Sequence, residues 1–123
     1  MVSQPVKNKP LSSATLHILL ALAGGKLHGY GIMKEVARSS DGHYRLGPGT
    51  LYDNLKKLMD AGFVADAPSS VSKRKSVVPP EDDRRFFILT KEGKAVLTAE
   101  VDRLQTVVSE ARVRLREART GKA

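Results

Sequence analysis

The sequence predicts a mostly α-helical fold with a small β-hairpin, on three observations. Apolar residues recur at helical spacing in three short segments before Gly62. Two short runs that favour strands follow, and the second is rich in aromatic and branched residues. Beyond Thr90 the apolar spacing is typical of one long helix. A chain of 123 residues has room for one modest core, so we expect one compact domain that carries one extended element.

The composition favours a polyanionic partner. The chain has 21 Lys and Arg residues against 13 Asp and Glu residues, a formal net charge of +8 at pH 7. Nucleic acid and an anionic membrane surface both remain open as the partner. No apolar run approaches the ~18 residues that span a bilayer, and residues 1–10 lack the apolar stretch of a secretory signal. We therefore expect a cytoplasmic protein without a membrane segment.

Cysteine and histidine usage argues against metal and cofactor chemistry. The absence of cysteine excludes disulfides, thiolate zinc sites and cysteine nucleophiles, and it fits a reducing compartment. His17, His28 and His43 are scattered without an acidic cluster at ligand spacing, which favours packing or surface histidines. No Ser/His/Asp order, pair of carboxylates in an apolar setting or phosphate loop is present. We expect no cofactor, no metal and no enzymatic activity.

Two short helices are predicted first. Ser12 or Ser13 can cap a first, mostly buried helix that a Gly-Gly pair ends. A second helix spans about Gly29 to Ser39 and has another glycine in its first turn. Such weak helix formers favour a close approach, to the first helix or to a phosphate. The residues predicted to face the core are Leu16, Leu19, Leu20, Leu22, Tyr30, Ile32, Met33 and Val36.

The stretch from Gly47 to Gly62 predicts a third helix with one free polar face. Pro48 suits the first helical position and Gly62 a left-handed cap. One face is an apolar stripe of three leucines, and the other is small and hydroxylated at its start and basic further along. Taken alone, the helix fits an ordinary surface helix better, but its neighbours complete a helix-turn-helix, whose last helix enters a DNA major groove. The predicted DNA-binding residues are Gly49, Thr50, Tyr52, Asp53, Lys56 and Lys57.

A β-hairpin, or wing, is predicted after the third helix, with strands at 63–67 and 85–89. The connection between them is long for a hairpin, and such loops are usually functional or disordered. For its basic tip, contact with phosphate or the minor groove and a solvated loop both remain open. For the two arginines at the second strand we expect contact. The predicted DNA-binding residues of the wing are Lys73, Arg74, Lys75, Arg84 and Arg85.

The last element is predicted to be a dimerisation helix. Thr90 is a plausible N-cap with Glu92 in the first turn. A helix of ~28 residues would be ~42 Å long, which is longer than so small a domain can cover. The chain's own first helix can cover part of the apolar seam, and a second copy is the better candidate for the rest. The predicted dimer interface comprises Leu97, Val101, Leu104, Val108, Ala111 and Leu115, spaced as in a coiled coil.

Three motifs resemble those of the PadR-family transcriptional regulators. They are the segments at 27–32 (LHGYGI), 46–52 (LGPGTLY, the most specific) and 83–90 (DRRFFILT), and the resemblance extends over roughly residues 14 to 115. It implies a winged-helix DNA-binding domain with a C-terminal dimerisation helix, and usually a repressor. The wing connection is longer and more charged than is usual in the family. Phe86 and Phe87 also stand where tyrosines are common.

Two functions from different classes follow. The first is a homodimeric, sequence-specific repressor that binds double-stranded DNA at an inverted repeat. The second is a winged-helix module that binds another protein. If a small apolar or aromatic effector exists, we expect it between the long helix and the winged-helix body, at Leu11, Leu16, His17, Phe86, Val96 and Leu97. The predicted units are a flexible tail (1–10), the winged-helix domain (11–90), the dimerisation helix (91–118) and a second tail (119–123).

Overall fold

The computed structural model describes residues 10–67 and 85–119. Within these residues it contains four helices and a small antiparallel sheet, which confirms the predicted mostly α fold with a small β element. The predicted DNA contacts Lys73, Arg74, Lys75 and Arg84 lie outside the described residues, as do most of the two predicted tails. The elements are α1 (Ser13–Leu22), β1 (Leu27–His28), α2 (Gly29–Ser39), α3 (Pro48–Ala61), β2 (Val64–Ala67), β3 (Phe86–Leu89) and α4 (Lys91–Arg119).

Local hydrogen bonds explain where the first three helices begin and end. Ser12 caps α1, because its hydroxyl accepts the Thr15 N–H at 3.2 Å. Helix α3 has Pro48 at its first position and is capped after Ala61 by Gly62, whose φ of 87° is left-handed. Both features agree with the prediction. The cap of α2 comes from His28, whose Nδ1 accepts the N–H of Gly31 at 2.9 Å.

The sheet has three strands in the order β1-β3-β2, and all pairs are antiparallel. Strands β2 and β3 form the predicted wing, with Val64 opposite Leu89. Strand β1 is a two-residue edge strand that the sequence does not predict, with Leu27 opposite Phe87. It joins the wing to the start of α2. The wing is therefore fixed to the helix-turn-helix on the side opposite β2.

The core lies between α1, α2, α3, the inner face of β3 and the first turns of α4. Its fully buried side chains come from each of these elements except α4. Helix α4 contributes Val96 and Leu97, which are buried but keep a few per cent of their surface exposed. In α1 the buried residues include Ile18 and Ala21, whereas Leu20, predicted to face the core, is 45% exposed. Apolar residues occupy most positions of α1, so its sequence does not define one stripe. The seven fully buried side chains are Phe87, Ile18, Leu19, Ile32, Leu51, Leu55 and Val36.

Helix α4 starts against the end of α3 and then leaves the body. The Thr90 hydroxyl accepts the Gly93 N–H at 2.9 Å and donates to the carbonyl oxygen of Gly62 at 2.7 Å, so Thr90 caps α4 as predicted. Leu97, predicted for the dimer interface, is only 7% exposed and lies in the body's own core. A partner helix cannot reach it there, and the exposed part of the seam begins at Val101 instead. No helix within the described residues is long and apolar enough to cross a membrane.

Candidate nucleic-acid interface

The structure separates the two faces of α3. Leu51, Leu55 and Leu58 are at most 6% exposed and face the core. The predicted DNA-binding residues on this helix are all exposed, and each of them lies away from the leucine stripe. Helix α3 is thus held rigidly along one side and presents a polar surface on the other. These residues are Gly49, Thr50, Tyr52, Asp53, Lys56 and Lys57.

This polar face is less basic than its lysines indicate. The Lys56 ammonium lies 3.9 Å from a carboxylate oxygen of Asp60, and the Lys57 ammonium lies 3.8 Å from one of Asp53. All four side chains are more than two-thirds exposed, so these ion pairs are weak and screened. Both lysines can exchange a carboxylate for a phosphate. The formal charges of the four side chains nevertheless cancel.

Tyr52 lies on the flank of α3 and contacts the start of α2. A Cβ atom added to Gly29 would overlap the Tyr52 hydroxyl oxygen and would lie 2.8 Å from Cζ of the ring. Gly29 therefore permits a close approach, as predicted, but the approach is to the third helix rather than to the first helix or a phosphate. This contact sets how near α2 and α3 can lie at their N-terminal ends. Tyr52 remains 50% exposed.

Arg85, a predicted DNA contact, is held at the base of the wing. Its guanidinium donates through Nε and Nη2 to the two carboxylate oxygens of Asp66, at 2.9 and 3.0 Å. It also lies 5.1 Å from the centroid of the Phe87 ring. These contacts connect β3 to β2, so Arg85 has a structural partner as well as an exposed position beside a shallow groove that includes Tyr52 and Lys56.

A group of aromatic and basic side chains that the sequence did not single out lies beside the start of α2. The His28 ring meets the Phe86 ring edge to face at 5.3 Å and stacks with the Tyr30 ring at 6.5 Å. The Lys34 ammonium lies 5.5 Å from the centroid of the Tyr30 ring, and the Lys26 ammonium 5.4 Å from that of Phe86. We call these five residues the flank cluster. Its members come from β1, α2, β3 and the loop before β1, so sequence periodicity could not reveal it.

The residues predicted to border an effector site do not all meet. Phe86 faces away from the core, where it contacts His28, because Phe87 takes the inward position on β3. Its predicted place at the junction with the long helix is therefore wrong. The His17 ring stacks on Tyr44 with 4.4 Å between centroids. The remaining four residues, Leu11, Leu16, Val96 and Leu97, belong to the core or pack against it.

A buried carboxylate connects the chain before α1 to the long helix. Glu100 is 5% exposed and accepts the backbone N–H of Leu11 at 3.2 Å. The Arg103 guanidinium donates to both of its oxygens, at 3.0 and 2.8 Å. These hydrogen bonds hold the pKa of Glu100 below its usual value, with Arg103 as the main cause, although burial opposes the shift.

Beyond Glu100, α4 exposes an apolar face. Val101, Val108 and Leu115 are 45%, 43% and 67% exposed, and Leu104 is half-buried. Val107 also lies open, at 51%. Five of the six residues predicted for the dimer interface therefore remain available to a partner, namely Val101, Leu104, Val108, Ala111 and Leu115.

A model of the transcriptional regulator PadR-like family matches residues 18–99. The chain belongs to this family. It is 30% identical over 99 residues to the transcriptional regulator Rv3488 of Mycobacterium tuberculosis, across 80% of this chain and 82% of that protein.

Solved structures of the PadR family show the same fold. A PadR family transcription regulator from Clostridium difficile has a TM-score of 0.67 and 20% identity, over 85% of this chain and 99% of that one. Bacillus subtilis PadR, solved in complex with operator DNA, has a TM-score of 0.58 and 24% identity, over 73% of this chain and 46% of that one. Membership in the PadR-like family confirms a transcriptional regulator and not an enzyme, and the fold is a winged helix.

Proposed function

We propose that this PadR-like protein is a homodimeric repressor that binds an inverted-repeat operator through α3. The observation that carries the proposal is the exposed polar face of α3, from Gly49 to Lys57. The opposite face of this helix is buried in the core. A rigid helix with a free polar side suits insertion into the major groove. The operator complex of Bacillus subtilis PadR supports this use of the fold.

The dimer part of the proposal depends on α4. This helix has 29 residues and extends ~43 Å at 1.5 Å per residue. Its apolar face continues beyond Glu100, where the chain's own body no longer covers it. A second copy of the same helix can cover this face by coiled-coil packing. A two-fold dimer then presents two α3 helices, which read half-sites about 34–36 Å apart or a multiple of that distance.

Selection of DNA from a random pool tests the reading function. We expect the selected sites to share a dyad-symmetric sequence, and affinity to fall steeply with salt because bound phosphates release counterions. Replacing Lys56 and Lys57 by alanine is expected to weaken binding to all sequences and to lower the salt slope by about one unit for each phosphate that is no longer neutralised. A pool without enrichment, together with salt-independent affinity, would favour the alternative, a module that binds another protein.

Leu104→Glu tests the dimer. Leu104 is in the middle of the exposed seam, so the variant sets a charge in a desolvated position twice, once in each copy. Thr106→Glu is the matched control, because Thr106 is exposed and lies off the seam. In sedimentation we expect the Leu104 variant to be monomeric at micromolar concentration and the Thr106 variant to remain a dimer. A dimeric Leu104 variant would contradict the assignment of the seam.

That an effector binds at the junction stays a prediction. The packing there adds one requirement, which is that a ligand must displace α4. Val96 and Leu97 already fill the space between α4 and the body. A ligand there would have to move α4, and such a movement is what would change the spacing of the two α3 helices. Thermal shift with planar apolar compounds tests this, since a ligand at a hundred times its Kd stabilises by about 2.7 kcal/mol. Equal stabilisation of Leu97→Trp would place the ligand elsewhere.

A further inference from the structure

The flank cluster lies at the surface, and DNA binding through α3 does not explain it. Tyr30, which the sequence predicts to face the core, is 58% exposed. Lys34, one turn further along α2, holds its ammonium against the Tyr30 ring. Together they border a surface groove of about 630 Å³ that extends along the first turns of α2. The groove is open to solvent, and its lining includes His28, Tyr30, Lys34, Glu35 and Arg38.

The lining of this groove has one more cation than carboxylate, whereas the charges on the polar face of α3 cancel. The groove contains one carboxylate, Glu35, and the Arg38 guanidinium donates to both of its oxygens, at 3.0 and 2.6 Å. Among the residues that the structure describes, no carboxylate oxygen lies within 4.0 Å of the Lys34 ammonium. The two lysines of α3, by contrast, each form an ion pair with an aspartate of the same helix. Lys34 is therefore a cation whose charge is available to an anionic partner.

The contact between Tyr52 and Gly29 places the start of α2, and with it the flank cluster, next to α3. It brings the first residue of α2 against the first turns of α3. Tyr30 is the next residue of α2, and the Lys34 ammonium lies against its ring. A helix is about 10–12 Å across, and the major groove is about 12 Å wide. A helix in the groove leaves no gap on either side, and groups on its flank meet the sugar-phosphate strands.

We infer that the flank cluster is a second DNA contact, in which Lys34 and Tyr30 hold the phosphate strand that borders the groove occupied by α3. This inference depends on the proposed function. The ammonium supplies a point charge and the phenol a hydrogen-bond donor for phosphate oxygens. The ring of Tyr30 keeps the flexible Lys34 side chain in place before DNA arrives. The contact carries no sequence information and adds affinity for any duplex.

Salt titrations of Lys34→Gln test the inference. The slope of log affinity against log salt is expected to fall by about 0.9, the value for one phosphate, on the selected operator and on random duplex alike. Between 50 and 200 mM salt the variant then loses about 3.5-fold less affinity than the wild type, as this slope implies. Tyr30→Phe, which keeps the ring and removes the hydroxyl, should weaken binding to both DNAs equally. Thermal stability should not change, because both side chains are exposed.

Arg116→Gln is the matched control. It also removes one positive charge from an exposed helical position, but it lies ~38 Å along α4 from Lys91. The control should keep the wild-type slope on random duplex. If Lys34→Gln keeps that slope while the wild type binds with strong salt dependence, the inference is wrong and the proposed function stands. If the wild type binds neither DNA, both are wrong.

Discussion

Gly93 provides a direct test of the packing between α4 and the end of α3, because it lies against backbone atoms. A Cβ atom at this position would overlap the carbonyl oxygen of Phe63, and it would lie 3.0 Å from the carbonyl carbon and 2.8 Å from Cδ1 of Leu89. The obstacle is backbone, which cannot rotate away as a flexible side chain can. The same carbonyl accepts the N–H of Thr90 at 3.1 Å. Gly93→Ala must therefore move the start of α4 away from the end of α3.

The expected cost follows from three effects. Overpacking at a buried position costs about 1–3 kcal/mol. Weakening the hydrogen bond from Thr90 to Phe63 adds about 0.5–1.5 kcal/mol, and the better helix propensity of alanine returns at most about 1 kcal/mol. Together these effects predict that Gly93→Ala lowers the free energy of unfolding by about 0.5–4.5 kcal/mol. Denaturant unfolding at one fixed protein concentration measures this, because a dimer's stability depends on concentration.

Gly49→Ala is the matched control. Gly49 is also in the first turn of a helix, but a Cβ atom there would meet nothing within 4 Å. Its φ is not positive, so alanine can adopt the same backbone conformation. This variant is expected to be about 0.4–1 kcal/mol more stable than the wild type. If Gly93→Ala were as stable as Gly49→Ala, the packing of α4 against Phe63 would not be as tight as the structure indicates.

Two further predictions concern contacts between elements. In a double-mutant cycle, Gly29→Ala should destabilise the wild type but not the Tyr52→Ala variant, with a coupling of about 0.5–3 kcal/mol in denaturant unfolding; additive effects would contradict the contact. Glu100→Gln should destabilise the protein at neutral pH. Because the folded-state pKa of Glu100 is lowered from 4.5, its contribution is present above about pH 4.5 and is lost as the pH falls through the folded-state pKa. The difference from the wild type should therefore shrink in acid, and a constant difference would contradict the pairing with Arg103.

Features with local causes could be predicted from the sequence. Pro48 at the start of α3 and Gly62 after its end act through backbone geometry that each residue type carries with it. The cap at Ser12 is also local, since its hydroxyl accepts a hydrogen bond from the N–H of Thr15, only three residues further along the chain. The faces of α3 could also be predicted, because its three leucines recur among polar residues. In these segments the local pattern allows one solution.

Features that depend on distant partners could not be predicted. The run Phe86-Phe87-Ile88-Leu89 has no polar residue to mark its outer face, so only pairing with β1 and β2 decides that Phe87 is buried and Phe86 is not. Strand β1 has two residues, too few for any period. The apolar spacing of α4 likewise continues without a break from Leu97 to Leu115. It cannot show where the core ends and the exposed seam begins.

This continuity of α4 has a mechanical consequence for the proposed dimer. The residues that fix the helix to the body, Gly93, Val96 and Leu97, lie on the same rigid element as the seam from Val101 onward. A small rotation at the body end is therefore transmitted along a helix of ~43 Å, and in a two-fold dimer it occurs twice. Leu11 and Glu100 hold the angle at which the helix leaves. The spacing between the two α3 helices would then depend on these few contacts, none of which involves a predicted DNA-binding residue.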